Sequence, residues 1–153
     1  MKPLIVLLSV FALSTFYFKL FKKEDQFALS GRIAMAVMLM FTALGHFMFT
    51  KGMAMMLPDF IPYREAMIYG TGVIEIAAGI GLLIPSLRRL TAYLLIVFFI
   101  LILPNNIYAA IHQIDYQTGD LDGHGLIYLW FRIPLQILFI LWVYLTLERP
   151  TVQ

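Results

Sequence analysis

Apolar residues along this chain gather into five long runs: Pro3–Phe18, Ile33–Phe49, Ala66–Leu87, Leu90–Ile111 and Leu126–Leu147. A membrane-spanning α-helix needs about 20 mostly apolar residues. Each run reaches or approaches that length, so the pattern predicts an all-α integral membrane bundle with about five spans. The runs use most of the chain and leave no room for a soluble catalytic domain. There is no internal repeat and no low-complexity stretch.

The connections are unequal. Ser86–Arg89 is a tight turn, which makes the helices on either side antiparallel neighbours. Thr50–Glu65 is longer and holds Pro58 and Pro62. Its Met53–Leu57 stretch is apolar but too short to span. It is expected to lie in the membrane interface or to fold back as a short re-entrant element.

Composition agrees with the pattern. The chain is 61% hydrophobic and 13% charged over 153 residues, against about 25% charged in soluble domains. The absence of cysteine removes disulfides, thiolate catalysis, iron–sulfur clusters and cysteine zinc sites. A net charge of +2 is too small to argue for nucleic acid.

Basic residues set the expected orientation. The first run starts with Lys2, but no small-x-small cleavage site follows, and Lys19, Lys22 and Lys23 lie on its far side. A signal peptide carries its positive charge in front. The run is therefore read as a retained helix (residues 1–27 with its basic linker), with residues 28–153 as the main membrane domain. Placing the N-terminus outside puts Lys19, Lys22, Lys23, Arg32, Arg88, Arg89 and Arg149 inside. Lys2, Lys51 and Arg64 are left outside, so the C-terminus is cytoplasmic. The expected location is a multi-pass protein of a cell membrane, a bacterial inner membrane.

Against this background two charges stand out. Glu75 interrupts Ala66–Leu87, and Arg132 is the only charge in Gly125–Leu147. Charge at membrane depth is tolerated facing a bundle interior or a watery cavity, usually with a partner. Counting 1.5 Å per residue from the outer ends, His46 lies about 6 Å deep, Asn105 and Arg132 about 9 Å, and Glu75 and Gln136 about 15 Å. Gly72, Glu75 and Gly79 share one stripe, so small residues flank the carboxylate and favour close helix approach. Tyr128, Arg132 and Gln136 share another. Pro104 and Pro134 each release a carbonyl one turn earlier. These placements predict that Glu75 and Arg132 lie within direct or one-water contact. They also predict a cavity in the outer half, bordered by Glu75, Asn105, Arg132 and Gln136, with His46 near its mouth.

The chain also carries an ordered set of short motifs: Gly45-His46-Phe47, Leu57-Pro58 with Pro62, and Thr71-Gly72-Val73-Ile74-Glu75 with Gly79. Gly81-Leu82-Leu83-Ile84-Pro85 with Arg88, Leu103-Pro104-Asn105-Asn106, and Arg132-Ile133-Pro134-Leu135-Gln136 with Trp142 follow. Together, over about Arg32–Leu147, they resemble the DoxX-like family of small membrane proteins. The resemblance implies a four-helix membrane core, to which the first helix is an N-terminal addition. The broader family includes subunits linked to quinone-dependent sulfur oxidation, proteins of redox-cofactor biogenesis, and receptor-assembly or cargo chaperones. No shared catalytic motif joins these roles, so fold analogy does not choose among them.

Each candidate has a plainer reading. Glu75 with Arg132 is either a binding site or an ion pair that pins two helices. His46 is either a ligand group or an interfacial hydrogen bonder. Asn105 and Asn106 either meet a ligand or bond carbonyls around Pro104. The methionines are packing residues rather than a copper site, lacking cysteine or a clear Met-x-x-Met ladder. Asp120–His124 reads as a solvated turn rather than a calcium loop. No histidine pair suits a haem.

The preferred reading is binding of a small amphiphile, a quinone or similar redox partner, in a polar pocket of the outer leaflet. Glu75 and Arg132 set the pocket's charge, and Gln136, Asn105, Asn106 and His46 bond the ligand. A non-covalently bound quinone or lipid is the expected cofactor. No catalytic residue and no metal ligand is assigned, and a redox role needs a bound cofactor or partner subunit. The alternatives are an assembly factor that holds a client transmembrane helix, and a small proton-coupled transporter. A homo-oligomer stays open.

Overall fold

The structure, a computed structural model, describes residues 2–23 and 26–147. Among these are six α-helices and one π-helical turn, with no strand. They are α1 (Lys2–Tyr17), the π turn Phe18–Lys22, α2 (Phe27–Met48), α3 (Thr50–Met55), α4 (Arg64–Leu83), α5 (Arg88–Ile111) and α6 (Ile127–Leu147). All but α3 are long and apolar enough to cross a membrane, α1 together with its π turn.

The breaks have local causes. Lys23 turns into the left-handed region at φ 53° and closes the π turn on the Phe18 carbonyl. Pro85 disfavours helical backbone at the residue before it, and Ile84 is extended at φ −82°, ψ 117°. The N–H groups of Leu87 and Arg88 then return to the Ile84 carbonyl at 3.1 and 2.9 Å. This is the tight turn expected over Ser86–Arg89. Gly81 lies so close to Thr91 that a Cβ there would strike its side chain.

Helix α2 is the hub and packs on α1, α4 and α6, while α5 packs on α4 and α6. The shared core combines Met35, Met38 and Leu39 of α2 with Leu82, Leu95, Phe99, Phe139 and Val143. Leu7 of α1 enters the same core, and Phe11 sets its ring edge-on to Trp142 at 4.9 Å. Large apolar side chains such as Leu13, Leu94, Leu101 and Leu145 point outward. A continuous apolar exterior suits a bilayer rather than water.

The two ends of the bundle differ. At the basic end, Arg32 was expected in a connection but lies inside α2, 3% exposed. The physical reason is that α2 begins at Phe27, so Arg32 is already one turn in. Its Nη1 donates to the Thr146 carbonyl at 3.0 Å, and Trp142 Nε1 donates to the Gly31 carbonyl at 3.0 Å. Arg149, also expected at this end, falls outside the described residues.

At the opposite end, α3 folds back beside α4, burying Ala54 and Leu57 with Ile68. Thr50 Oγ1 donates to the His46 carbonyl at 2.7 Å and ties α3 to the end of α2. Gly52 packs on the Tyr116 backbone so closely that any Cβ would collide with it. Phe49 meets the Tyr116 ring edge-on at 6.2 Å. The segment after α5 is thereby held against α3.

Candidate functional site: a polar cavity beneath α3

A cavity of about 400 Å³ lies at the α3 end of the bundle. Its side wall comes from α2 (Phe41, Thr42, Leu44, Gly45, His46), α4 (Ile68, Thr71, Glu75), α5 (Phe98, Ile102, Asn105, Asn106) and α6 (Tyr128, Arg132). Met53, Met56, Leu57, Tyr116 and Gln117 close the end, and Lys2 and Pro3 stand at the edge. The exposed lining residues Phe41, Leu44 (60%) and Met48 (73%) form one outward stripe of α2.

Glu75 is 5% exposed. Its direct ionic contact is with His46 rather than Arg132. His46 Nε2 approaches Glu75 Oε2 at 3.5 Å, and among the described residues Arg132 is in no ion pair. The cause is azimuth. The glycine stripe of α4 faces α2: a Cβ at Gly72 would lie 3.1 Å from His46 Cβ, and one at Gly79 3.2 Å from the Ala36 carbonyl. Glycine at 72 permits the close approach that brings His46 over the carboxylate.

A third residue orients the imidazole. Thr71 Oγ1 donates its single proton to the Ile68 carbonyl at 2.8 Å. It therefore accepts from His46 Nδ1 at 3.0 Å, which assigns the Nδ1 proton from the hydrogen-bond network. His46 Nε2 therefore faces Glu75 Oε2 at 3.5 Å, longer than a close hydrogen bond. The Thr71/Glu75 spacing of i, i+4 on α4 was the available signal for this third member, and sequence reasoning passed over it.

Several polar atoms here are buried without a hydrogen-bond partner. They include Glu75 Oε2 and Arg132 Nε in the cavity lining, and Gln136 Oε1 outside it. Such orphans are uncommon in folded proteins and point to water or ligand. Asn106 Nδ2 donates to the Ile102 carbonyl at 2.9 Å, so Asn106 is partly engaged in its own helix, while Asn105 lines the cavity beside it.

Gln136, expected to border the cavity, is not in its lining. It is 2% exposed, and its amide donates to the Phe99 carbonyl. It lies one turn, about 6 Å, beyond Arg132 along α6, and at that depth the space is filled by the core. The carbonyl that Pro104 releases belongs to Ile100, so neither Gln136 nor Asn106 meets it. In the Asp115–Gly125 segment, Asp115 Oδ1 accepts from the Gln117 N–H at 2.7 Å. Among the described residues no three His, Asp or Glu side chains group as metal ligands would.

A family model described as a Domain of unknown function (DUF8561) matches residues 35–146, from the middle of α2 to nearly the end of α6. No curated protein and no solved structure matches the chain.

Proposed function

This chain belongs to the DUF8561 family, and we propose that it is a multi-pass membrane protein that binds a small amphiphile in the cavity beneath α3. One observation carries the reading: Glu75 and Arg132, each with a buried polar atom that makes no hydrogen bond, line a cavity whose other walls are mostly apolar. Ligand sites combine an apolar lining with a few converging polar groups, in volumes of ~300–1,000 Å³. A molecule with a polar head and an apolar body satisfies both parts of this lining.

The same geometry weighs against the alternatives. A client helix is about 10 Å across and needs a long groove rather than a 400 Å³ cavity. A transporter needs access from both ends, and the basic end is filled by the core and by Arg32 and Trp142. The narrower proposals rest on sequence. Clustered Lys19, Lys22, Lys23, Arg88 and Arg89 support an α3 end facing outward. The DoxX-like resemblance supports a quinone-linked role in a bacterial inner membrane.

The test is native mass spectrometry of the full chain released from mild detergent. At Gly45 an added Cβ meets only Met53 Cε, at 3.6 Å, so Gly45→Phe can fill the cavity without forcing the helices apart. We expect a co-purifying amphiphile on the native protein and none on Gly45→Phe. An adduct that survives this substitution would place the ligand elsewhere.

A further inference from the structure

The charge balance of the cavity narrows its ligand. Resting on the binding function proposed above, we infer that the ligand's head is an oxyanion, a carboxylate or phosphate, carried on an apolar chain and bound by Arg132.

Besides tyrosines, four ionisable side chains line the cavity: Lys2, His46, Glu75 and Arg132. His46 and Glu75 face each other at 3.5 Å. Lys2 is exposed at the edge and is solvated there. Arg132 is half-buried and, among the described residues, in no ion pair. Its Nε is sealed off with no hydrogen-bond partner. A cation held in low dielectric without a counter-charge is costly. A neutral carbonyl would accept its hydrogen bond but leave the charge in place.

An oxyanion answers both needs, because carboxylates and phosphates match the two-pronged donor edge of a guanidinium. Asn105, across the cavity on α5, and Tyr128, one turn before Arg132, supply polar groups on the same walls. The apolar chain has its own surface in Phe41, Leu44, Phe98 and Ile102. Glu75 is held against His46 rather than against Arg132.

The experiment titrates the full chain in detergent, followed by native mass spectrometry. The probes are oleate, 1-oleoyl-lysophosphatidate and their neutral counterpart oleyl alcohol. On the native protein the better of the two anions should bind at least ~10-fold tighter than oleyl alcohol. That anion also identifies whether the head is a carboxylate or a phosphate. Arg132→Gln should erase the preference while oleyl alcohol binding persists, and Arg132→Lys should restore part of it. Equal binding of anion and alcohol by the native protein would overturn the inference, and that comparison needs no variant to fold. Gly45→Phe separates the two levels of argument. If it abolishes binding of all three probes while the native protein shows no charge preference, the cavity stands and the oxyanion falls. If it abolishes none, the cavity itself is the wrong site.

Discussion

At the basic end of the bundle, Arg32 and Trp142 donate to backbone carbonyls of neighbouring helices, at Thr146 and Gly31. At the α3 end, His46 faces Glu75, and both line one cavity with Arg132. Both ends bury charge, and the α3 end also encloses a cavity. Donation to a backbone carbonyl of another helix fixes two helices together. A side chain that faces other side chains across a cavity keeps binding capacity for something else. Buried charge is therefore a poor guide to function until its partner is known.

Substitutions at the two ends should separate these roles. The largest stability loss is expected for Arg32→Ala, about 2–3 kcal/mol, since a charged donor to a buried carbonyl is removed. Thermal unfolding in detergent should show it, with oleate binding unchanged in the folded fraction. Loss of oleate binding there would erase the contrast between the ends. Gly52→Ala comes next, at about 1–2 kcal/mol, because the new Cβ meets the rigid Tyr116 backbone and overpacking of this kind strains its surroundings. It should also speed oleate release by loosening the end wall, seen in dissociation kinetics.

His46→Gln should cost about 1 kcal/mol, in the range of interhelical polar contacts in membranes. It should also weaken oleate binding, because Glu75 then loses its ionic contact beside the cavity. Adding Glu75→Gln should restore binding, so the two substitutions will be non-additive in a double-mutant cycle. Additive effects would mean that the two side chains act independently. The smallest change is expected for Gln136→Leu, about 0.6 kcal/mol, with no effect on any probe, because Gln136 is outside the cavity.

How much of this was legible in the sequence depended on direction. Distances along helix axes follow from a fixed rise per residue, so the five spans were predictable from hydropathy, and α3 from a short apolar stretch between breaks. The same count put His46, Glu75, Asn105 and Arg132 at one end, where all four line one cavity. Which way each helix is turned was not legible. The Ser86–Arg89 turn made α5 the evident neighbour of α4, but the glycine stripe of α4 lies on α2. That rotation gives Glu75 to His46 and leaves Arg132 without an ion-pair partner. Gln136 shares a helical stripe with Arg132, but one turn of depth moves it from cavity to core. Arg32 was read as a connection because charges usually lie there, and its acceptor sits 114 positions away, beyond the reach of local pattern.

The outward stripe of Phe41, Leu44 and Met48 on α2 has a consequence for how occupancy is controlled. These residues belong both to the cavity lining and to the apolar exterior. In a bilayer, a ligand arriving past them would be drawn from the hydrocarbon phase, so the relevant concentration would be its mole fraction in the surrounding leaflet rather than its molarity in water. Occupancy would then follow lipid composition, and extra detergent micelles would strip the site by dilution even with total ligand held constant.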